Sequence, residues 1–274
     1  MTSNVRRFRF SRYFAYSKAS FQESLAFRMG FLISIVGSIV YTIVICYLWK
    51  AIFQSAGAEV VNGMTYNDTL VYLALAGTIT ASVDVFLVWD IGRAIQTGDI
   101  ALAFVRPADY FTMHLFTCCT SIVISFVVNV IPIFFLIEFI SGWAIPIGFN
   151  IVFFMLSLFL GIIINFCIDF IVGNICFYTQ SIWGINIMKE VVVHLLSGAT
   201  IPLAFFPDKL HDAMMFLPFQ AIYHTPLTML INESMPTETY LRMFGVQLIW
   251  VVVLVIAAKL FFRRSSRVVT VNGG

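Results

Sequence analysis

Charge is what this sequence has least of. Acidic and basic side chains make up 11% of its 274 residues, against about 25% in ordinary soluble domains. A water-facing surface cannot be built from so few. The net charge of +2 is too small to create the long-range field of a nucleic-acid binder. Cysteine is sparse as well: Cys46, Cys118, Cys119, Cys167 and Cys176 all fall in apolar stretches, with no C-x-x-C pair and no histidine at metal-ligand spacing. They read as small buried hydrophobes. Nucleotide-binding signatures are missing, since there is no GxxxxGK followed by Ser or Thr and no GxGxxG after a strand, so energy from ATP must come from another chain. The four histidines, His114, His194, His211 and His224, form no HExxH pair, and no serine sits in a nucleophile elbow. The chain is not expected to be an enzyme or to hold a cofactor or metal of its own. Internal repeats, low-complexity tracts and a second soluble domain are also lacking, so residues 1–274 form one membrane domain.

What is present is hydrocarbon. The chain is 60% hydrophobic, has 29 phenylalanines and a mean hydropathy of +0.94. So much apolar area exceeds what one compact core hides, so most of it must face lipid. A bilayer core needs about 20 mostly apolar residues per helix. Six stretches meet or approach that length: Gly30 to Trp49, Leu70 to Trp89, Phe111 to Phe139, Ile147 to Val172, Cys176 to Leu196, and Leu241 to Phe262. The expected architecture is an all-α membrane protein of six transmembrane helices. The basic leader runs to Arg28 with no small-residue cleavage site after it, so the first apolar stretch is expected to remain as a span.

Basic residues near span ends set orientation. With the amino terminus inside, twelve of the sixteen fall in cytoplasmic segments and only Lys50, Lys209 and Arg242 fall outside, Lys189 lying within a span. Both termini are therefore expected in the cytoplasm. Within residues 1–29, Phe10, Phe14, Phe21, Leu25 and Met29 keep helical spacing beside basic positions, which predicts an amphipathic helix in the cytoplasmic interface. The first outer loop, Ala51 to Thr65, precedes a helix-start signal at Asn67 or Asp68. Gly142 and Pro146 enforce a short turn between spans three and four.

Three further features bear on function. The inner loop, residues 90–110, reads DIGRAIQTGDIALAFVRPADY, where Ile91, Ile95 and Leu102 with Arg93 predict a short amphipathic helix broken near Gly98. It is either a connector or a surface a partner pushes on. Residues 197–240 carry Pro202, Pro207, Pro218, Pro226 and Pro236 yet stay apolar. Too broken for a span and too apolar for a free loop, this stretch predicts short helices re-entering the outer leaflet with their backbone buried in protein. Ionisable residues in apolar spans usually face a cavity or a partner. Asp84, Glu138 and Asp169 stand near span ends and are expected to reach the interface. Lys189 and Glu190 lie closer to mid-span and point to different sides, whereas Glu190 and His194 share a face. That face either turns toward a cavity or belongs to a buried ion pair between helices. Ala74, Thr78 and Ser82 form a small-residue stripe suited to packing within or between subunits.

Taken together, FQESLAFRMGF before span one, IQTGDIALAFVRPAD in the inner loop and SGATIPLAFFPDKLHDAMMFLPFQAIYHTPLTML before the last span resemble the membrane subunit of type 2 ABC exporters. The resemblance covers nearly the whole chain. It implies a bacterial plasma-membrane permease that pairs with a second permease subunit, identical or related, and with two copies of a separate ATP-binding subunit carrying ATP and Mg. Arg28, Ile95, Gly98, Asp99, Arg106 and Pro107 would then lie on the coupling side. Ser197, Gly198, Pro202, Pro207 and Pro218 would belong to an outer gate, with spans two and five lining the route. The resemblance implies export of a lipophilic or amphipathic cargo, such as a drug, antibiotic, peptide or lipid-linked molecule. It demands no charged pair at Lys189 and Glu190. Two other classes fit the composition: an ion- or proton-coupled secondary transporter using Lys189, Glu190 and His194, and a membrane scaffold or immunity protein.

Overall fold

The computed structural model describes residues 13–22, 28–83, 86–105, 108–141, 148–179, 182–232 and 235–268. Phe10, Leu25, Asp84, Arg106, Pro107 and the turn at Gly142 and Pro146 lie outside the described residues, as does the side chain of Arg28. The helices are α1 (13–22), α2 (Arg28–Ala56), α3 (Tyr66–Val83), α4 (Leu87–Thr97), α5 (Ile100–Val105), α6 (Tyr110–Ser125), α7 (Ile131–Ser141), α8 (Phe149–Ile175), α9 (Trp183–Leu196), α10 (Asp208–Met215), α11 (His224–Ile231) and α12 (Thr237–Ser265). Helix is forced by the solvent: lipid offers no partner for a peptide group, so each span must satisfy its own backbone. Five stretches are long and apolar enough to cross a bilayer: Met29–Ala56, Tyr66–Thr97, Tyr110–Phe139, Phe149–Ile175 and Thr237–Ser265. The protein is thus an all-α, multi-pass membrane protein.

Several boundaries differ from the sequence expectation. A hairpin of β1 (Val60–Val61) and β2 (Met64–Thr65) occupies the first loop. Its Asn62-Gly63 turn has both residues at positive φ, 49° and 80°, as a two-residue hairpin turn requires. Thr65 and Asp68 then cap α3 reciprocally: Oδ2 of Asp68 accepts from the Thr65 amide and hydroxyl, and Thr65 Oγ1 accepts from the Asp68 amide. The third apolar stretch is interrupted by a π-helical turn, Phe126–Val130, where Pro132 cannot donate to the carbonyl one turn back. Cys176 to Leu196 is helical only from Trp183. A hydropathy window merges into that stretch the turn that closes α8.

Packing follows from which helices are apolar all round. Every residue from Thr69 to Ala76 of α3 is buried, making it the central helix. By contrast, α2 turns Leu32, Ile33, Val36 and Val40 outward, and α12 turns out Leu248, Ile249, Val252 and Ile256. The Ala74, Thr78 and Ser82 stripe is wholly buried inside the subunit, and a Cβ on the neighbouring Gly77 would strike the ring of Tyr41 on α2. Small residues here bring α2 and α3 together. Pairs such as Phe153 with Tyr240 at 4.6 Å and Phe170 with Phe262 at 5.7 Å show α8 and α12 running parallel.

The bundle thus has a basic end, carrying Arg93, Lys259, Arg263 and Arg264, and a proline-rich end formed by the hairpin and residues 197–232. Helix α1 packs on α6 through Tyr13, which stacks on Phe116 at 5.4 Å, and Ser20, which shares a 2.9 Å hydrogen bond with Ser121. Phe14 and Phe21 point away from the bundle.

Candidate functional site

At the basic end, α4 is amphipathic. Leu87, Val88, Ile91 and Gly92 are buried while Arg93 is exposed. The helix is seated tightly on its neighbours: a Cβ on Gly92 would lie 2.8 Å from Ile182, and one on Gly173 of α8 would lie 3.1 Å from Ile91. Gly98 ends α4 in the left-handed conformation at φ 81°, its amide donating to Ile95 O at 3.3 Å. Asp99 accepts from Thr97 Oγ1 at 2.7 Å, and Ile100 opens α5. Ile95 is half-buried against the core, whereas Gly98 and Asp99 are exposed beside the outward-facing Leu102 and Val105 of α5. The break expected near Gly98 is therefore present as an elbow between α4 and α5. A valine there would be held in the left-handed region at a cost of about 1–2 kcal/mol. Gly98→Val is expected to open the elbow locally, read as faster tryptic cleavage at Arg93 with little change in the global melting temperature.

At the proline-rich end, α9 closes in a Schellman turn. The Ala199 amide donates to His194 O at 3.2 Å, and Gly198 sits at φ 80°. Ser197 is fully buried, and Gly198 lies against Tyr72 and Leu203. Three of its prolines each stand immediately before an element, as their fixed φ and missing amide favour. Pro202 precedes the short turn Leu203–Phe205, Pro207 precedes α10, and Pro218 precedes the turn Phe219–Ala221. Part of the segment is buried in protein, whereas Ile201, Pro207 to Leu210 and Phe216 are exposed. Leu203, Ala221, Ile222, Tyr223 and Leu227 are almost inaccessible, and Phe205 meets Trp49 of α2 edge-on at 4.8 Å. Its backbone lies directly on α8, since a Cβ on Gly161 would come within 2.8 Å of Ile222 O. Gln247 of α12 locks the contact. Its Nε2 donates to Ala221 O at 2.8 Å and Ser157 O at 3.2 Å, while Ser157 Oγ donates to its Oε1 at 3.0 Å.

Between the two ends lies a buried polar cluster. Lys189 Nζ stands 3.0 Å from Asp169 Oδ1, both nearly inaccessible, and Asn165 Nδ2 donates to Asp169 Oδ2 at 3.1 Å. A hole of about 10 Å³ beside Asn165 and Asp169 has room for one water. The structure corrects one expectation here. Asp169 and Glu138 do not reach the interface but are buried, at 2% and 1% exposure. Lys189 turns to α8, whereas Glu190 accepts from Asn186 one turn back on α9. Of the two readings left open for this helix, Lys189 takes the buried ion pair.

Cys118, Cys167 and Cys176 are buried, Cys46 and Cys119 partly so, and all five are free thiols. Among the described residues no group of three or more His, Cys, Asp or Glu could hold a metal ion. Three features stand out: an exposed elbow, a packed segment at the other end, and a charged tie between helices. No curated protein matches this chain. A family model described as ABC-2 family transporter protein, however, matches residues 39–273, which include the elbow, the cluster and the proline-rich segment. The chain belongs to the ABC-2 family of transporter proteins.

Proposed function

We propose that this protein is the membrane subunit of an ATP-driven exporter, spanning the bacterial plasma membrane six times with both termini cytoplasmic. It pairs with a second permease subunit, identical or related, and with two copies of a separate ATP-binding subunit that binds ATP and Mg. This chain needs no catalytic residue. Its cargo is lipophilic or amphipathic.

The sixth crossing is assigned to α9 and its flanks. The helix alone has 14 residues, about 21 Å, short of the roughly 30 Å hydrocarbon core. Its flanks extend it: Ile182 packs on Gly92 near the basic end, and Gly198 packs on Tyr72 in the second turn of α3 near the other. Re-entry of the proline-rich segment is supported by depth. Gly161 and Gln247, which it touches, lie about 18 Å and 15 Å along their helices from Phe149 and Thr237. Orientation rests on the basic end facing the cytoplasm.

The observation that carries the reading is the α4–α5 elbow in a chain of this family. An exposed turn beside outward apolar side chains, on a helix seated against α8, can pass a push from a closing ATPase into the bundle. The test is whether an ATP-binding protein co-purifies with the tagged chain from native membranes and is lost, by tenfold or more, from Asp99→Arg and Leu102→Glu variants. Undiminished co-purification with both would remove the elbow as the docking site.

A further inference from the structure

The proline-rich end holds a cavity of about 200 Å³ that none of the roles above uses. The hairpin, α3, the stretch after α9 and α11 all contribute to its wall. Two of its lining residues carry a buried polar atom without a hydrogen-bond partner, Tyr72 Oη and His224 Nδ1, and their rings stand 6.3 Å apart. Tyr72 is 2% exposed. Folded proteins seldom leave two such atoms unsatisfied side by side. Room for the phenol is made by Gly198, where any Cβ would fall 2.7 Å from Tyr72 Oη.

The chemistry of the wall selects the ligand. Asp68 supplies its one formal charge, and among the described residues no Lys or Arg lines it, so an anion is repelled. Only Oδ2 of Asp68 is engaged in capping α3. Burial lowers the His224 pKa to about 4, with His211 pushing the same way, so the imidazole is neutral at neutral pH and offers an acceptor nitrogen. A carboxylate only accepts, and a neutral imidazole and a phenol can each accept as well, so a group with several donors, an ammonium, can bond to all three at once. Tyr72 adds an aromatic ring beside which a cation is stabilised. Met64, Pro202 and Ile231 supply apolar wall. The volume slightly exceeds the roughly 150 Å³ that accepts benzene, so the hydrocarbon body is ring-sized.

We propose that this cavity binds a small primary amine with a ring-sized apolar body, its ammonium held among Asp68, Tyr72 and His224. The inference does not rest on the exporter reading, because binding to this chain needs no ATPase. Benzylamine is the probe, titrated at neutral pH into the purified full chain in phosphatidylcholine nanodiscs, with benzyl alcohol as the uncharged counterpart and empty discs as baseline. The expected result is saturable binding of benzylamine at least tenfold tighter than benzyl alcohol. Asp68→Asn keeps a side-chain oxygen that can accept from the Thr65 amide, and Tyr72→Phe removes only a hydroxyl. Each is expected to weaken benzylamine tenfold or more, and Thr228→Phe, which fills the cavity, to abolish binding. Absence of saturable binding above empty discs would overturn the proposal. So would equal binding of the alcohol, or wild-type affinity in both the Asp68 and Tyr72 variants.

Discussion

Lys189→Met is expected to destabilise the protein by about 3–5 kcal/mol, because it strands the Asp169 carboxylate in the bundle without its counter-charge. Asn165 still donates one hydrogen bond to that carboxylate, which is too little to replace an ion pair at 3.0 Å. Asp169→Leu should cost a similar amount by stranding the ammonium. The double variant, Asp169→Leu with Lys189→Met, removes both charges together and is expected to recover most of the loss, since an apolar pair avoids desolvating either ion. Reversible unfolding in mixed micelles reads the three free energies and so the coupling between the sites. Additive losses would show that the two side chains do not interact in the folded protein. The same cycle separates structure from transport. A stable double variant that still transports makes the pair a tie between α8 and α9. A stable one that does not transport gives the charges a part in the cycle and favours the ion-coupled alternative.

Gly161→Ala is expected to be strongly destabilising for a single added methyl. Its Cβ would meet Ile222 O at 2.8 Å and Ala221 O at 3.0 Å, which are backbone atoms and cannot swing aside like the end of a long side chain. The proline-rich segment must lift away from α8, at about 1–3 kcal/mol for overpacking. Gln247 then loses its 2.8 Å bond to Ala221 O, about 1 kcal/mol more. Gly245→Ala is the control, being helical and only two residues from Gln247, with nothing within 4 Å of its added Cβ. It should be neutral or stabilising by up to about 1 kcal/mol, the helix propensity gained over glycine. Melting temperatures that fall equally for the two variants would refute the close approach of the segment to α8.

Much of the architecture was legible one residue type at a time. The apolar runs marked the long helices, and Gly98 marked the end of α4. Each of Pro202, Pro207, Pro218 and Pro236 stands immediately before an element it helps to start, as a residue with fixed φ and no amide should. The hairpin at Asn62-Gly63 was equally readable as a turn dipeptide, although hydropathy drew attention past it. The length of α9 was less legible, because averaging over a window hides the polar run Thr179, Gln180, Ser181 between apolar flanks.

The site residues divide along the same line. Helical spacing correctly separated Lys189 from Glu190, but it could not name Asp169, twenty positions earlier on another helix. Nor could it bring Tyr72 to His224, or Gly161 to Ile222. By itself the sequence determined that the chain lives in a bilayer, that it crosses as helices, and where many of those helices start and stop. These follow from hydration, backbone hydrogen bonding and the φ preferences of Gly and Pro, all of which act locally. Only the tertiary structure decided which charges pair, which glycines carry a neighbour's backbone and where polar atoms converge on a cavity. In lipid one apolar helix face is much like another, so helix pairing is settled by close packing and a few polar contacts, which exist only once the helices are assembled.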